Sequence, residues 1–538
     1  MANHSHTKRL IGAAAITTTA LLASSAGAVT YNLSPTPVVP EGNVGWIGYM
    51  NVFEIDANGG GYLWGSSWGT ADLPAAFTGN TLTIGANYIG DPASYWYTPS
   101  GGPGATGNKK MDANFYVEDN TLTGQTVTFT GEVLSSTLVA GYTSVAFIKD
   151  FAPDYSSFNI VTAPMTTMGV FSITLATTND PARHVQFGFE TIGACAWVTD
   201  APSKGYVTVT SAPSVWSNTA GGDWGVSTNW QSELLPSAVD ARVKFDSAIT
   251  AASTVMLLDA KVAGSVTFNN TSAYTLGGAG SLALDVSSGA ASLAVTSGSH
   301  AIGVPVTLND DTSVSVAPGS TLSVTGAVSG AGKVVTKTGA GTLSMGSLNA
   351  GTLDVQAGST NAGGAWTVKT LSVAAGAGVS VGAGASVVVD YDATSPLASV
   401  RAMAASGALS SSVAGQVVGY GEVSALPAGT AGSADSTSVY IRSTYAGDAT
   451  LDGAVNFSDL LALAAHYNVA GTGTWTDGDF NSDSNVNFSD LLALAANYNK
   501  TVTGSFAGDW ALAQSTVPEP ATLAALALVT PMTLRRRR

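Results

Sequence analysis

The chain has 538 residues, of which 45% are hydrophobic and only 10% are charged, and it contains 62 glycines. This length is enough for three or four domains, and the low charge with many small and β-branched residues indicates a mainly β protein. The formal net charge of −16 excludes nucleic acid as an expected partner, because such a chain would repel a polyanion. The single cysteine, Cys195, excludes an intramolecular disulfide bond.

Residues 1–28 have the three parts of a secretory signal peptide. Lys8 and Arg9 form a basic start, residues 10–23 form an apolar run, and Ala26-Gly27-Ala28 matches an A-x-A cleavage site. We therefore expect signal peptidase to act on this segment during export and the mature chain to begin near Val29.

Residues 29–212 are predicted to form a β-sandwich. Runs at residues 126–133, 171–175 and 185–189 alternate apolar and polar side chains with a period of two, and turn-forming clusters separate them. The first half of this segment is rich in aromatic residues, which leaves two interpretations open: the rings stack on sugars in a glycan-binding site, or they fill the core. These aromatic residues are Trp46, Tyr49, Tyr62, Trp64, Trp68, Tyr88, Tyr95, Trp96 and Tyr97.

No catalytic motif is found in the predicted sandwich. It contains several acidic residues that a hydrolase would need, and one acid–histidine pair, Asp180 and His184, but none occurs in a nucleophile elbow, a zinc-binding helix or a P-loop. No catalytic residue is therefore assigned. The candidate acids are Glu118, Asp119, Glu132, Asp150, Asp154 and Glu190.

Residues 213–390 consist of short Thr, Val and Leu runs between glycines, such as Gly341-Thr342-Leu343 and Gly351-Thr352-Leu353. Strands this short, with turns this frequent, are typical of a parallel β-solenoid, in which stacked rungs bury a continuous core. The piece G-A-G-T-L-S-M at residues 339–345, and the opening W-S-N-T, G-G-D-W and N-W at residues 216–230, resemble the autotransporter-associated β-strand repeat of exported bacterial surface proteins. With few acids, bases or aromatic residues, this segment is interpreted as a spacer. Residues 391–446 are rich in Ala, Ser and Gly and are interpreted as a linker, with a β element expected at residues 438–442.

One pattern occurs twice in residues 447–500. Each copy has oxygen-bearing side chains at positions 1, 3, 5, 9 and 12 of a twelve-residue loop, and a backbone carbonyl at position 7, as in an EF-hand-like calcium loop. A ten-residue helical pattern follows each loop. The expected ligands are Asp448, Thr450, Asp452, Ala454, Asn456 and Asp459 in the first copy, and Asp479, Asn481, Asp483, Asn485, Asn487 and Asp490 in the second.

Two features differ from an EF-hand: position 12 is Asp, and no helix precedes either loop. A duplicated loop and helix with Asp at position 12 resembles the dockerin module. The resemblance implies two Ca²⁺ sites and docking to a cohesin-like domain, with Phe457-Ser458 and Phe488-Ser489 at the contact. An alternative is that both phenylalanines belong to the core of the module. We expect the second loop to bind Ca²⁺ more tightly, because Asn481 is a better oxygen donor than Thr450, although Ser484 stands where a sharp turn prefers Gly.

Residues 517–538 form a second targeting pattern, which follows a linker at residues 501–516. Val517-Pro518-Glu519-Pro520 precedes a 14-residue apolar run and four arginines, Arg535 to Arg538. This order resembles the PEP-CTERM sorting signal, which implies transient membrane anchoring, recognition by an exosortase and delivery to the cell surface or the extracellular matrix. A plain tail anchor is the alternative, but the run is shorter than the ~20 residues that a membrane span requires.

Two functions are consistent with these features. The first is a secreted, surface-associated, calcium-binding structural or adhesive protein whose N-terminal domain binds extracellular polysaccharide. The second is a dockerin-bearing glycoside hydrolase that cleaves O-glycosyl bonds in polysaccharide catabolism. The absence of a recognisable catalytic motif favours the first.

Overall fold

A computed structural model describes residues 28–37 and 45–502 of the chain. The protein is mainly β, with a parallel β-solenoid of about 7 turns. It divides into two compact units: the first ends at Thr210, and the second begins at Ser211 and also includes Thr78–Thr81. Within the described residues, no helix combines the length and apolar character needed to cross a membrane. The predicted signal peptide, apart from Ala28, and the predicted sorting signal lie outside the described residues.

The first unit contains sixteen strands within the described ranges. They are β1 (Ala28–Asn32), β2 (Ile47–Glu54), β3 (Tyr62–Trp68), β4 (Ala75–Thr78), β5 (Thr81–Gly85), β6 (Tyr88–Ile89), β7 (Tyr97–Thr98), β8 (Thr106–Gly107), β9 (Lys109–Glu118), β10 (Thr126–Ser136), β11 (Thr143–Phe151), β12 (Phe158–Pro164), β13 (Gly169–Ala176), β14 (His184–Ala194), β15 (Ala196–Trp197) and β16 (Tyr206–Thr210).

Two six-stranded sheets account for most of this unit. One has the order β1-β10-β16-β5-β4, with β13 also paired to β10, and the other has the order β12-β11-β14-β9-β2-β3. Each strand turns alternate side chains to opposite faces, so a strand with period-two patterning has one apolar face. The apolar faces of both sheets contribute to one hydrophobic cluster, including Phe129 from the first sheet and Phe115 and Phe187 from the second.

The second unit begins with the solenoid. Its strands are β17 (Ser214–Val215), β18 (Gly222–Asp223), β19 (Arg242–Phe245), β20 (Ser253–Met256), β21 (Ala260–Ala263), β22 (Ser265–Asn269), β23 (Tyr274–Gly277), β24 (Ser281–Leu284), β25 (Ala291–Ser297), β26 (Ser299–Ile302), β27 (Val306–Leu308), β28 (Thr312–Val316), β29 (Thr321–Thr338), β30 (Thr342–Val355), β31 (Ser359–Ala362), β32 (Ala365–Val373), β33 (Gly378–Val381) and β34 (Ser386–Asp390).

The predicted parallel solenoid is confirmed. From β19 to β26 each strand pairs in parallel with the third strand further along, so β19 pairs with β22 and β22 with β25. Identical inward positions therefore stack into columns, of which Phe245, Phe268, Val295 and Val316 form one. Every member of this column is buried, and the rings of Phe245 and Phe268 stack with centroids 5.2 Å apart.

Three buried tryptophans occupy the start of the solenoid. The ring of Trp230 lies 5.0 Å from the rings of both Trp216 and Trp224, measured between centroids. All three indole N–H groups donate to backbone carbonyl oxygens, so the rings are buried without an unsatisfied donor. A stack of repeats exposes apolar surface at its ends, and this cluster covers the first turn.

The segment after the solenoid has more structure than the expected linker. Residues 391–446 contain α1 (Leu397–Ser406) and three further strands, β35 (Leu409–Ser411), β36 (Val417–Glu422) and β37 (Ser438–Thr444). The β element expected at residues 438–442 lies within β37. This strand pairs antiparallel with both β34 and β36 and so ends the parallel ladder.

The last part of the described chain holds the duplicated pattern. Two ten-residue helices follow the two loops, α2 (Phe457–His466) and α3 (Phe488–Asn497). Single-turn 3₁₀ helices complete the secondary structure, at Asp56–Asn58, Thr70–Asp72, Asn120–Leu122, Ala201–Lys204, Ser227–Asn229, Gln231–Glu233, Val423–Ala425 and Trp475–Asp477.

Candidate calcium and ligand-binding sites

The two predicted calcium loops have the same backbone conformation. Position 4 has a positive φ in both, 54° at Leu451 and 64° at Ser482, and so does position 6, 94° at Gly453 and 78° at Ser484. Ser484 therefore adopts the left-handed conformation that glycine accommodates without steric cost. The two copies also close their loops alike, because the position 6 N–H donates to the position 1 carboxylate in each, at 3.0 Å and 2.9 Å.

In the first loop, Asp448 at position 1 is fully buried. Its Oδ2 accepts hydrogen bonds from the Gly453 N–H and the Thr444 hydroxyl. Its Oδ1 is also buried and has no hydrogen-bond partner among the described residues. Burial raises the pKa of this carboxyl to about 7. An unpartnered carboxylate oxygen is costly inside a protein, and a hard cation would satisfy it.

The position 12 carboxylates are buried as well and join each loop to its helix. Asp459 accepts from the N–H of Asn456 (2.8 Å) and from the N–H and hydroxyl of Thr450 (both 2.9 Å). Asp490 accepts from the N–H of Asn487 (3.0 Å) and of Phe480 (2.9 Å). Each position 12 Asp thus forms a capping box with the Asn at position 9.

The second loop differs from the first because an arginine reaches it from α1. The Nη2 atom of Arg401 lies 2.5 Å from Oδ2 of Asp479, the position 1 carboxylate. The other oxygen of Asp479 accepts from the Asp483 N–H at 3.1 Å. Both oxygens of Asp479 therefore have partners, and a guanidinium already balances its charge.

The position 3, 5 and 9 side chains bond mostly within their own loops. Asp452 accepts from the Ala454 N–H (2.8 Å), and Asp483 accepts from both the N–H (2.8 Å) and the side-chain amide of Asn485 (3.1 Å). The Asn481 amide also donates to Asp483, at 3.0 Å. Among the described residues, no three His, Cys, Asp or Glu side chains are gathered closely enough to form a metal-binding group.

The donor set nevertheless matches a hard cation in its chemistry, since carboxylate, amide, hydroxyl and carbonyl oxygens are the ligands that Ca²⁺ takes. The first loop fits such an ion through the unpartnered Asp448 oxygen. The second loop fits it less well because of Arg401. This arrangement favours the first loop as the tighter site, opposite to the ranking expected from Asn481 and Thr450.

The helix surfaces do not fit the alternative in which both phenylalanines belong to the core of the module. Phe457 and Phe488 are 61% and 66% exposed, and one turn further Leu461 and Leu492 are 55% and 60% exposed. Leu463 and Leu494 are buried instead. The physical reason is that the buried position 12 carboxylates fix the helix rotation, and the residues four positions after them lie on the same inward face.

A cleft of about 760 Å³ lies on the second sheet of the first unit. Alternation along β9 explains its composition: Met111, Ala113, Phe115 and Val117 belong to the hydrophobic cluster, whereas the intervening residues face the cleft. The cleft is lined by Ile47, Tyr49, Asn51, Phe53, Tyr62, Ser67, Asp112, Asn114, Tyr116, Glu118, Lys149, Phe151, Tyr155, Phe158, Gln186 and Glu190.

The floor of the cleft is a network of buried polar side chains. The ammonium of Lys149 donates to the Asn114 side-chain oxygen at 2.8 Å and lies 3.4 Å from the Glu190 carboxylate. The amides of Asn114 and Asn51 donate to Asp112, at 2.9 Å and 3.3 Å. Burial, followed by the neighbouring Glu190 carboxylate, raises the pKa of Asp112 to about 7.

Aromatic side chains surround this floor. Tyr62 and Phe158, from the two outermost strands of the sheet, are both substantially exposed. Tyr155 has φ 58°, stacks on His184 with ring centroids 4.3 Å apart, and places its hydroxyl 3.4 Å from the Glu118 carboxylate. A bulky residue held in the left-handed region marks local strain, which concentrates at ligand sites.

The sequence-predicted residues divide between this cleft and other places. Of the nine predicted aromatics, Tyr49 and Tyr62 line the cleft, Tyr97 is buried, and Trp46, Trp64, Trp68 and Trp96 pack against the core. Tyr88 and Tyr95 are exposed. The core interpretation therefore holds for the buried Tyr97 and the four tryptophans, whereas stacking on sugars stays a prediction for Tyr49 and Tyr62.

Of the candidate acids, Glu118 and Glu190 line the cleft. The others serve local structure or lie elsewhere: Asp150 is paired with Arg183 (2.7 Å), Asp119, Asp154 and Asp180 accept backbone N–H groups in turns, and Glu132 lies on β10.

The sequence analysis missed Asp112, Asn114, Lys149 and Gln186, the buried polar residues of the floor. The signal that could have found the β9 residues is the alternation in K-M-D-A-N-F-Y-V-E at residues 110–118, which places Asp112, Asn114, Tyr116 and Glu118 on one face.

Compared with known protein families, curated proteins and solved structures, the chain has no match.

Proposed function

We propose that this protein is an exported, surface-associated structural and adhesive protein that binds extracellular polysaccharide through its first unit and Ca²⁺ through residues 447–500. The observation that carries the proposal is the cleft, in which aromatic side chains border a buried polar floor. Such a floor supplies hydrogen bonds for sugar hydroxyls, and aromatic rings supply flat apolar contacts. The two six-stranded sheets with a shared core support the predicted β-sandwich as its scaffold.

The rest of the chain supports the structural part of the proposal. The solenoid is a continuous stack with a buried core, suited to a spacer that separates one end of a protein from the other. Export rests on the two terminal sequence patterns and the action of signal peptidase and an exosortase. Calcium binding rests on the duplicated oxygen ligands and on the buried, unpartnered Asp448 oxygen.

The geometry of the cleft supports binding over hydrolysis. Glu190 pairs in register with Asn114, and Gln186 pairs with Glu118, so the two glutamates stand four residues apart along the strands. Four residues correspond to about 13 Å. Glycoside hydrolases of both stereochemical classes hold their two carboxyl groups closer than this, at roughly 5 to 9.5 Å. The third carboxyl group of the cleft, Asp112, lies within hydrogen-bonding reach of Glu190, which is closer than that range.

Glycan binding is tested by applying the full-length protein to an array of extracellular polysaccharides. We expect retention on at least one glycan, and retention roughly fivefold weaker for Tyr62→Ala, since one lost aromatic contact is worth about 1 kcal/mol. Tyr206→Ala, which removes another exposed tyrosine outside the cleft lining, is the matched control and should bind normally.

Release of reducing sugar from the bound glycan would instead favour the hydrolase. Equal retention of the Tyr62→Ala variant, the control and the unchanged protein would place binding outside the cleft.

A cohesin-like domain is the proposed partner of residues 447–500. Phe457 and Phe488 occupy equivalent places in the two copies, each is exposed, and each precedes a serine. We expect Phe457→Ala and Phe488→Ala together to abolish capture by an immobilised cohesin-like domain while the helices stay folded, because neither ring is buried. Hydrogen exchange of the α2 and α3 amides with Ca²⁺ present serves as the control for folding. Loss of helix in the double variant would show that the phenylalanines belong to the core.

A further inference from the structure

We propose that the cleft takes a neutral oligosaccharide and discriminates against glycans that carry carboxylate or sulfate groups. This inference rests on the proposed glycan binding and adds the chemical class of the ligand. It is carried by the charges that line the cleft and by the way in which each is already paired.

The cleft floor carries three carboxyl groups and one ammonium group. The carboxyl groups belong to Asp112, Glu118 and Glu190, and the ammonium group belongs to Lys149. An anionic sugar would therefore approach a surface that is already rich in carboxyl groups. Repulsion between like charges is strong where water is largely excluded.

The lysine is not available to compensate such a ligand. Lys149 is buried, with its Nζ atom bonded to Asn114, close to Glu190 and 4.2 Å from the centroid of the Phe147 ring. Turning this ammonium toward a bound anion would leave the largely buried Glu190 carboxylate without its cation, which is a large cost.

The next lysine on the same face of β9 is paired as well. The Nζ atom of Lys110 lies 2.5 Å from an Asp56 carboxylate oxygen. A site for an anionic glycan would instead present arginine or lysine side chains with unsatisfied donors.

The floor groups suit hydroxyl groups. A hydroxyl both donates and accepts, so it can bond to a carboxylate and to an amide at once. A carboxylate and an amide lie side by side at Glu118, which accepts a hydrogen bond from the Gln186 amide at 2.6 Å. The Glu118 carboxylate is partly exposed and lines the cleft. A carboxylate that accepts from a sugar hydroxyl forms a charge-assisted bond, which is stronger than a neutral one.

The extent of the lining indicates an oligosaccharide and not a single sugar. Lining residues come from all six strands of the sheet, from Phe158 on β12 to Tyr62 on β3. Five strand spacings of about 4.8 Å give a length of roughly 24 Å. The exposed rings therefore lie far enough apart to contact different sugar units.

The experiment is titration calorimetry on the full-length protein with hexasaccharides that differ in charge. The neutral probes are hexamers of β-linked glucose, xylose and mannose, and the anionic probe is a hexamer of galacturonic acid. We expect at least one neutral hexamer to bind, and the galacturonate hexamer to bind at least 100-fold more weakly than the best neutral one. The variant Glu118→Gln removes one floor charge with little change of shape, and should narrow this ratio by about tenfold.

The matched control is Asp91→Asn, which neutralises an exposed carboxylate of the same unit outside the cleft lining and should leave the ratio unchanged. If the galacturonate hexamer binds with the same affinity as the best neutral hexamer, or more tightly, the inference is overturned while the proposed glycan binding is upheld. A folded protein that binds none of the four hexamers overturns the proposed function and this inference with it.

Discussion

Removal of Ca²⁺ from the full-length protein is expected to unfold the two loops and helices of residues 448–499 while the solenoid stays folded. Each loop carries three aspartates, and without a cation the repulsion between these like charges opposes loop closure. The helices have ten residues each, which is too short to persist alone in water. If Ca²⁺ is present at 100 times its dissociation constant, each bound ion contributes about 2.7 kcal/mol to the folded state.

Hydrogen exchange measured by mass spectrometry is the appropriate test, because the β-rich remainder would dominate a circular dichroism spectrum. With a chelator, amides of α2 and α3 should exchange at least tenfold faster, whereas amides of β23 to β28 should keep their rates and serve as an internal control. Mg²⁺ should restore protection poorly, because it demands a tighter octahedral site. Equal exchange with and without chelator would show that the loops are ordinary acidic turns closed by their own N–H groups.

Replacement of Trp475 by alanine is expected to cost about 3 to 5 kcal/mol of stability, the range for a buried large aromatic residue. Trp475 is buried, and its ring centroid lies 5.2 Å from that of Phe480 and 5.9 Å from that of Tyr420 on β36. Its indole N–H donates to the backbone oxygen of Asp448 at 2.7 Å. The substitution therefore removes contacts with both predicted calcium loops and with β36.

In the Trp475→Ala protein, we expect faster hydrogen exchange of backbone amides in residues 448–499 and also in β36. Other contacts join the same parts: the Tyr420 hydroxyl lies 2.8 Å from the Ser482 hydroxyl, and Arg442 on β37 donates to the Leu451 carbonyl at 2.8 Å. Tyr467→Ala, at a more exposed position of the same module, is the control and should leave protection in β36 unchanged. A Trp475→Ala protein whose β36 exchanges at the normal rate would show that the module folds independently of the solenoid end.

The solenoid could be predicted from the sequence, whereas the cleft could not. Short Gly-bounded runs such as Gly341-Thr342-Leu343 predicted parallel rungs correctly, because each rung repeats the same local pattern and pairs with a rung nearby in the chain. The duplicated loops could also be predicted from local sequence, while their calcium binding stays a prediction. Within each twelve-residue loop, backbone N–H groups donate hydrogen bonds to the loop's own carboxylates, as Gly453 does to Asp448.

The residues at the ends of these elements were harder to interpret. The segment at residues 391–446 consists largely of Ala, Ser and Gly, and its strands form by pairing with the last strands of the solenoid, β35 with β33 and β37 with β34. The apolar spacing of α2 and α3 was recognised, but spacing alone does not say which apolar residues face inward. The buried Asp459 and Asp490 decide this, and so Phe457 and Phe488 remain exposed.

By itself, then, the sequence determined the features that depend on neighbouring residues: the mainly β character, the stacked rungs, the duplicated loops and the helices that follow them. Only the tertiary structure decided which distant residues meet. The Arg401–Asp479 pair joins positions 78 residues apart, and the cleft floor brings together Asn51, Asp112, Lys149 and Glu190 from four strands. The physical reason is that alternation along a strand sets which side chains share a face, whereas the pairing order of strands, set by burial of the whole core, decides which faces and charges adjoin.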